Sequence, residues 1–225
     1  MTIALVPVKR LEQSKSRLLP HLPDARRQAL TLAMLEDLLE ALAATPGLDR
    51  VAVTTPDPIV AEAVRAAGAE ALIRPEPGLN AALEEGIARL HPGPDEPFLI
   101  VLGDVAGAVA ADFASLLEAA SARGARGVWC APSADGGTSA LVQRPAGVIP
   151  CRFGPDSARR HREAAREAGV PFHLLELASL SIDLDQPEDL EAFLATEGGG
   201  RRTRALLTEI FGETAPATAS REERA

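Results

Sequence analysis

Cationic and hydroxyl residues follow the first apolar run of the chain. In VPVKRLEQSKSRL, Lys9, Lys15 and Arg17 come after that run, and Ser14 directly precedes Lys15. Two lysines and an arginine at the end of a strand can neutralise a triphosphate while the loop amides approach its oxygens. The loop has neither the GxxxxGK[ST] of a Walker A motif nor the GxGxxG of a dinucleotide fold. A solvated cationic loop before a helix explains the same residues equally well, so this loop alone does not decide the matter.

Three aspartates stand where a carboxylate needs a partner. Asp104 ends the apolar run FLIVLGD, where an ionised side chain costs free energy unless a metal or a donor binds it. Asp183 and Asp185 alternate in SLSIDLD, so an extended backbone would point both carboxylates to one face. Two like charges so close favour a divalent cation, and Mg²⁺ is the usual partner of carboxylates combined with phosphates. A turn or a helix cap would also explain Asp104, whereas turn aspartates rarely alternate inside an apolar segment.

A third set combines glycine and hydroxyl residues with a predicted helix start. Thr138 lies in DGGTSAL, and Gly154 precedes Ser157 in FGPDSARRH, where a helix is predicted to begin. The amides and the hydroxyl at a helix N-terminus form an anion site suited to a carboxylate or a phosphate. Ser157 as an ordinary helix cap is the simpler interpretation of the same pattern. His161 follows one turn later on the same helix face, and we expect it to be structural.

Composition excludes several classes of protein. Of 225 residues, 46% are hydrophobic, which is enough for a sizeable core. Lys and Arg number 23 against 32 Asp and Glu, and this net charge of −9 argues against a nucleic-acid partner, which needs a basic face. The apolar stretch before Lys9 is far shorter than the ~20 residues of a membrane span, so we expect no membrane partner and a cytoplasmic protein. The two cysteines and four histidines show no triad or zinc spacing.

Apolar runs alternate with helical patterns, which predicts an α/β fold with a mostly parallel sheet flanked by helices. Ligands in such sheets bind beyond the carboxyl ends of the strands. After Asp135, strand patterns follow one another without a helix, so a small antiparallel β excursion is expected. The predicted strands are 3–8, 50–55, 70–75, 98–104, 127–132, 138–144, a stretch near Val148, 172–177 and 179–185. The predicted helices are 24–44, 58–67, one within 78–90, 110–123, 157–168 and 187–195. We place one domain at 1–196 and expect 197–225 to be a linker, a short helix and a disordered tail.

Taken in this order, the segments resemble the 2-phospho-L-lactate and phosphoenolpyruvate guanylyltransferases of coenzyme F-420 biosynthesis, over roughly residues 3–195. The motifs that carry the resemblance are VPVKRLEQSKSRL, PGLNAAL (77–83), Asp104, DGGTSALV (135–142), FGPDSARRH (153–161) and IDLDQPEDL (182–190). The resemblance implies a GT-A-like nucleotidyltransferase fold over 1–196, with Mg²⁺ as cofactor. The family usually has Asp-Leu-Pro where this chain has Asp104, Val105 and Ala106, and it often has Asn where this chain has Ser139. Both differences concern the shape of the acceptor pocket.

The resemblance also implies a role for each candidate residue. Asp104, Asp183 and Asp185 match metal ligands. Thr138, Gly154 and Ser157 match positions that hold a phosphorylated three-carbon acid, chiefly its carboxylate. The positions that match the nucleotide-binding residues of the family are of two kinds. The loop that would bind the phosphates contains Lys9, Ser14, Lys15 and Arg17, and the stretch expected near the guanine or the ribose contains Gly78 and Asn80. The implied catalytic residues are Lys9, Lys15, Arg17 and Asp104.

The expected reaction joins GMP from GTP to the phosphorylated acid and releases pyrophosphate. A phosphate monoester is mostly dianionic at neutral pH, since its second pKa is ~6, and it can attack the α-phosphorus without a general base. Phosphoenolpyruvate, 2-phospho-L-lactate and 3-phosphoglycerate stay open as acceptors, and a homodimer stays open as the assembly. The alternatives are a molybdopterin or sugar-phosphate nucleotidyltransferase of the same fold, and a catalytically silent GTP-binding protein.

Overall fold

A seven-stranded sheet forms the centre of the computed structural model, which describes residues 1–18, 22–75, 78–121, 126–181, 184, 186–196 and 198–214. The strands in chain order are β1 (Ile3–Pro7), β2 (Arg50–Thr55), β3 (Glu70–Ile73), β4 (Phe98–Val101), β5 (Gly127–Pro132), β6 (Thr138–Arg144) and β7 (Phe172–Leu174). They lie side by side in the order β3-β2-β1-β4-β6-β5-β7. The predicted α/β class with a central sheet is confirmed.

Helices cover both faces of this sheet. They are α1 (Asp24–Ala43), α2 (Pro58–Ala66), α3 (Leu79–Leu90), α4 (Ala110–Ser121), α5 (Ser157–Glu167), α6 (Pro187–Ala195) and α7 (Arg201–Thr214). Successive side chains of a strand point to opposite faces, so Val6 of β1 is buried in one cluster with Phe113 of α4, and Leu5 is buried in another with Leu83 of α3. The predicted helices are confirmed to within two residues, apart from positions 122 and 123, which lie outside the described residues.

The first four strands are parallel. β1 pairs with β2 and β4, and β2 pairs with β3, all in the parallel direction. Since both faces are covered by helices, these strands are continuous apolar runs, and the four residues from Ile3 to Val6 are all fully buried. The carboxyl ends of the four strands therefore meet at one edge, with Pro7 opposite Thr54.

The second half of the sheet contains the expected antiparallel excursion. β6 pairs antiparallel with both β4 and β5, and β7 then returns parallel to β5. β5 and β6 are joined by the turn at residues 133–137, in which the Gly137 amide donates to Oδ1 of Asp135 over 2.9 Å. This turn brings Thr138, the first residue of β6, to the same edge of the sheet as the ends of the parallel strands.

The strand predicted near Val148 is wrong. Residues 145–153 form no strand, and the amide of Ile149 donates to the side chain of Gln143 over 3.2 Å instead of joining a ladder. Ile149, Cys151 and Phe153 are buried in one cluster with Ala164 and Ala165 of α5. These residues are apolar because they pack beneath that helix. From sequence alone, this pattern cannot be distinguished from that of a buried strand.

The strand predicted over 179–185 is also wrong at its start. Ser179 and Leu180 lie in a 3₁₀ turn, Ala178–Leu180. Asp112 of α4 stabilises this turn, because its Oδ2 accepts the amide of Ser179 at 3.2 Å and its hydroxyl at 2.7 Å. Asp183 and Asp185 lie outside the described residues, so their predicted common face is not described. The strands predicted at 98–104 and 172–177 end earlier, at Val101 and Leu174.

The helix after the glycine run packs on the body of the protein. Asp37 of α1 caps the start of α7: its Oδ2 accepts the amide and the hydroxyl of Thr203, each at 2.8 Å, and its Oδ1 accepts the Arg202 amide at 3.1 Å. Leu207 of α7 is fully buried in a cluster with Leu30 of α1 and Phe193 of α6.

Residues 215–225, which include the predicted tail, lie outside the described part of the chain. None of the described helices has the length and apolar content needed to cross a membrane.

Candidate active site

A cleft of about 340 Å³ opens at the carboxyl ends of β1, β2 and β4. This is the edge at which α/β sheets bind ligands. Five of the residues selected from the sequence line it, namely Lys9, Ser14, Lys15, Gly78 and Asp104. The structure therefore brings the cationic loop, the start of α3 and the end of β4 to one place.

The cationic loop is held from beneath by a buried arginine. Two 3₁₀ turns, Leu11–Gln13 and Ser16–Leu18, fold the loop after β1. Arg27 of α1 is almost fully buried, and it donates to the carbonyl of Ser14 and to Oδ1 of Asp24, both over 2.6 Å. Lys15 adopts a positive φ of 52°, which turns the chain back at this point. The loop is thus a built feature of the fold, unlike a solvated cationic segment.

Lys15 and Asp104 form the charged centre of the cleft. Nζ of Lys15 lies 3.4 Å from Oδ2 of Asp104, and the Lys15 side chain is only 6% exposed. The other carboxylate oxygen of Asp104, Oδ1, is buried and has no hydrogen-bond partner among the described residues. A carboxylate oxygen that has lost water without gaining a donor costs free energy, and a bound cation relieves that cost.

Leu184 lies beside Asp104. Leu184, the residue between Asp183 and Asp185, is buried, and its amide donates to the Asp104 carbonyl over 3.3 Å. The same carbonyl accepts the Ala106 amide at 3.0 Å, a bond that a proline at this position could not donate. Within the described ranges no group of three or more His, Cys, Asp or Glu residues is placed to hold a metal ion.

Arg17 and Asn80 lie away from the described lining of the cleft. Arg17 is exposed and lies near the β5–β6 turn: the pKa of Asp135 is lowered by the Ser133 hydroxyl, by the Gly137 amide and, more weakly, by the charge of Arg17. Asn80 connects α3 to the loop before α5. Its Nδ2 donates to the Phe153 carbonyl over 3.2 Å, and its Oδ1 accepts the Phe153 amide at 2.8 Å. Asn80 therefore positions the residues that precede Gly154.

Thr138, Ser157 and His161 form a buried hydrogen-bond network at the start of α5. The Ser157 hydroxyl donates to Oγ1 of Thr138 over 3.0 Å, and Nδ1 of His161 lies 3.1 Å from the same oxygen. Nε2 of His161 accepts the Arg152 amide at 3.1 Å, so Nδ1 carries the proton and donates to Thr138. Burial lowers the pKa of His161 to about 4, and the charges of Arg160 and Arg152 add to this effect. The imidazole is therefore neutral at physiological pH and orients Thr138.

Gly154 begins the turn that leads into α5. Its φ of 117° lies in a region that favours glycine, and its carbonyl accepts the Ser157 amide at 3.1 Å. The start of α5 also contacts the β5–β6 turn, where the Ala158 amide donates to the Gly136 carbonyl over 3.4 Å. The structure thus brings Thr138, Gly154 and Ser157 together at the start of α5, in a second candidate subsite whose role in binding the acid stays a prediction.

The family of the chain is decided by comparison with known sequences. Residues 2–225 match the family model described as Guanylyl transferase CofC like. This chain belongs to the CofC-like guanylyl transferase family. It is similar to the phosphoenolpyruvate guanylyltransferase of Rubrobacter xylanophilus, with 42% identity over 89% of this chain and 97% of that protein. It is also similar to the 3-phospho-D-glycerate guanylyltransferase of Phenylobacterium zucineum, with 36% identity over 93% of this chain and 97% of that protein.

Solved structures confirm the nucleotidyltransferase fold of this CofC-like chain. A nucleotidyl transferase from Methanothermobacter thermautotrophicus superposes with a TM-score of 0.62 and 19% identity, covering 88% of this chain and 99% of the other. The CMP:2-keto-3-deoxy-manno-octonic acid synthetase complexed with CTP gives a TM-score of 0.61 and 17% identity, covering 92% of this chain and 98% of the other. At these identities the likeness concerns the fold alone.

Two buried residues of the CofC-like cleft were missed by sequence reasoning. Arg74 follows β3 and lines the cleft, and its Nε donates to Oγ1 of Thr54 at the end of β2. The available signal was an arginine directly after a strand pattern, the same kind of signal that selected Asp104.

The two cysteine thiols are not candidate nucleophiles, because burial raises the pKa of Cys130 to about 11 and that of Cys151 to about 12. Neither is a thiolate nucleophile at neutral pH.

Proposed function

We propose that this protein transfers GMP from GTP to phosphoenolpyruvate, with release of pyrophosphate. The observation that carries the proposal is the Lys15–Asp104 pair at the bottom of the strand-end cleft, with one Asp104 oxygen unpartnered among the described residues. A lysine ammonium group beside a carboxylate with one oxygen that lacks a donor suits a polyphosphate substrate with its metal ion. The second subsite at the start of α5 would hold the acceptor.

The nucleotide phosphates would lie along the loop after β1. Lys9 is exposed at the cleft and Lys15 is buried in it, so the two ammonium groups can meet the triphosphate from its outer and inner sides. Arg27 keeps the loop in place through the Ser14 carbonyl. Donors that are held in position before the substrate binds stabilise the charge that develops on the leaving pyrophosphate at little reorganisation cost.

Mg²⁺ fits the donor set beside this loop. Asp104 would bind it through its unpartnered Oδ1, and Asp183 and Asp185 would join it, since Leu184 between them is hydrogen-bonded to Asp104. Bound there, Mg²⁺ would neutralise phosphate charge and polarise the phosphoryl oxygens. Lys15 shares the task, because its ammonium group already lies at the other oxygen of Asp104.

The acid would bind at Thr138, Gly154 and Ser157 and present its phosphate to GTP. An oxygen of that phosphate attacks the α-phosphorus, the bond from the α-phosphorus to the bridging oxygen breaks, and pyrophosphate leaves with that oxygen. No proton has to be removed from the nucleophile, because the monoester is mostly dianionic at neutral pH. His161 accordingly acts as a neutral support for Thr138 and is not a base.

The choice of acceptor rests on the relatives. Proteins from Rubrobacter xylanophilus and Sphaerobacter thermophilus, 42% and 39% identical to this chain, carry the name phosphoenolpyruvate guanylyltransferase. Such names favour a phosphorylated acid over the sugar-phosphate and molybdopterin alternatives. The Phenylobacterium zucineum relative, named for 3-phospho-D-glycerate, makes that acid the main competitor.

Pyrophosphate release tests the proposal. The protein is incubated with GTP and Mg²⁺ and with phosphoenolpyruvate, 2-phospho-L-lactate or 3-phosphoglycerate, and ATP and CTP serve as nucleotide controls. We expect release with GTP and the highest kcat/KM for phosphoenolpyruvate. Higher kcat/KM with another acid would correct the acceptor, and silence with every acid while GTP still binds would contradict the reaction.

A further inference from the structure

Arg160 carries two buried hydrogen-bond donors that nothing in the described structure uses. It lies in the first turn of α5, and its Nε and Nη2 atoms are buried without a hydrogen-bond partner among the described residues. These two N–H groups point from the same edge of the guanidinium plane, the edge that binds a carboxylate through two parallel hydrogen bonds. Burying the N–H donors of a cation without an acceptor costs free energy, and a bound anion would remove that cost.

The unused edge lies at the acceptor subsite. Nη2 of Arg160 is 3.0 Å from the position that a Cβ atom would occupy at Gly154. Because Gly154 has no side chain, this space is open. The Gly154 carbonyl accepts the Ser157 amide, and the Ser157 hydroxyl donates to Thr138, so the guanidinium lies next to the residues of the proposed acceptor subsite. A side chain at position 154 would push the guanidinium away, which gives the glycine a role beyond its backbone conformation.

Neighbouring arginines differ from Arg160 because each has a partner. Arg159 pairs with Glu163 at 2.7 Å, and Arg152 pairs with Glu167 at 3.1 Å. The guanidinium of Arg162 stacks over the ring of Phe172, 5.4 Å from its centre. The positions of these three arginines are accounted for by the contacts they make, whereas the buried Nε–Nη2 edge of Arg160 is available to a ligand.

Arg160 is also the cation that the subsite needs. Thr138 and Ser157 are uncharged, and His161 is neutral because burial and the nearby arginines lower its pKa to about 4. Two neutral hydroxyls bound to each other cannot balance the charge of an acid. The phosphate of the acid has to reach GTP on the side of Lys15, so the other end of the acid is left to face α5.

We propose that the Nε–Nη2 edge of Arg160 binds the carboxylate of the acceptor acid, above Gly154. This inference rests on the proposed function and extends it by naming the residue that selects a phosphorylated acid over a phosphate ester that lacks a carboxylate. Arg160 binds and positions the acceptor and takes no part in the bond changes. Lysine cannot replace it fully, because an ammonium group lacks the planar pair of donors.

Arg160→Gln, Arg160→Lys and the matched control Arg159→Gln test this assignment. Each variant is assayed for pyrophosphate release with phosphoenolpyruvate and with its carboxamide analogue, and the KM for GTP is measured in parallel. We expect Arg160→Gln to lower kcat/KM for the acid about tenfold to a hundredfold, through KM, and to leave the amide and GTP values nearly unchanged. Arg160→Lys should lie between, and Arg159→Gln should match the wild type.

Equal losses for the acid and the amide, or an unchanged acid KM in Arg160→Gln, would overturn the assignment. Thermal unfolding serves as the folding control: Nε and Nη2 of Arg160 make no hydrogen bond within the described structure, so the loss of this edge should not lower Tm below that of Arg159→Gln. Calorimetric titration of the wild type and of Arg160→Gln with phosphoenolpyruvate gives a readout without turnover. If the wild type binds the acid but releases no pyrophosphate, the proposed reaction is wrong, and the comparison of binding still tests the role of Arg160. Equal affinity of both proteins for the acid would show that Arg160 does not bind its carboxylate.

Discussion

Nζ of Lys15 lies 3.4 Å from Oδ2 of Asp104, across the edge where β1 and β4 end. The two residues are 89 positions apart, and they meet because β1 and β4 are parallel neighbours in the sheet. Arg27 fixes the lysine loop from below, and Leu184 is hydrogen-bonded to the Asp104 backbone from the other side. The pair is therefore held in place before any substrate binds.

Asp104→Asn should remove most of the activity and leave the fold intact. The amide keeps the size of the side chain but removes the negative charge next to Lys15, and with it the proposed Mg²⁺ ligand. We expect kcat to fall about a hundredfold or more. Mg²⁺ titrations of turnover measure the effect, and Asp95→Asn is the control, because Asp95 is exposed, precedes β4 and is not among the residues that line the cleft. Normal turnover with an unchanged Mg²⁺ requirement would remove Asp104 from the site.

Ser157→Ala should raise the KM for the acid more than the KM for GTP. The Ser157 hydroxyl is buried and donates to Thr138, so its loss disturbs the acceptor subsite and leaves the lysine loop untouched. Removal of one buried hydrogen bond corresponds to about a three- to tenfold change. Steady-state kinetics with each substrate varied in turn measure both constants. Equal changes in the two KM values would indicate a purely structural role at the helix start.

Acid should destabilise the protein through His161. The pKa of this imidazole is about 4 in the folded protein and near 6.5 when unfolded, because burial and two arginines oppose its protonation. Between these values the unfolded state binds a proton that the folded state does not, so stability is lost as the pH falls. We expect the free energy of unfolding to drop by about 2 kcal/mol for this group from about pH 7.5 to about pH 5.

Urea unfolding of the wild type and of His161→Gln at both pH values isolates that contribution. The glutamine variant should lose less stability on acidification, whatever its stability at neutral pH, because it cannot titrate. His91→Asn, which replaces an exposed histidine with positive φ by a residue that tolerates that conformation, should keep the wild-type loss. An identical loss in wild type and His161→Gln would show that His161 is not responsible.

Asp37→Ala should weaken the attachment of α7 and, with it, the active site. The Asp37 carboxylate caps α7 and is buried, so its removal leaves Thr203 with a buried hydroxyl and amide that lack an acceptor. We expect a loss of about 2–4 kcal/mol in the free energy of unfolding. Turnover should fall too, because the Gly199 amide donates to Gly107 in the loop after Asp104. There is no room for a side chain at Gly199, because its Cβ would clash with the carbonyl oxygen of Ala108.

Urea unfolding and kcat measure both effects, and Glu40→Gln is the matched control. Glu40 also pairs with Arg202 but is exposed, so its change should stay within about 0.5 kcal/mol. If Asp37→Ala lowered stability no more than Glu40→Gln, the cap would not hold α7.

Local patterns were sufficient for most of the fold and for the edge at which the site lies. Continuous apolar strands and helices with clear starts, such as Pro58 at the start of α2, predicted the sheet and its helices. Because parallel strands place their carboxyl ends together, Lys9, Lys15 and Asp104 could be predicted to meet.

Long-range contacts could not be predicted in this way. Asn80 and Phe153 are 73 positions apart, and Asp37 and Thr203 are 166 apart, so no spacing in the sequence connects them. The false strand near Val148 has the same cause, since apolar residues there are buried beneath α5 without joining the sheet. The unused donor edge of Arg160 depends on which neighbours have partners, and only the structure supplies that.

The transfer itself is tested most directly by an isotope label in the acceptor phosphate. Phosphoenolpyruvate with heavy oxygen in its phosphate group is incubated with GTP, Mg²⁺ and the protein, and both products are analysed by mass spectrometry. We predict that all of the label is found in a product that joins GMP to the acid, and that the pyrophosphate carries none. Label in the pyrophosphate, or release of GMP and pyrophosphate without the joined product, would contradict attack by the acid on the α-phosphorus.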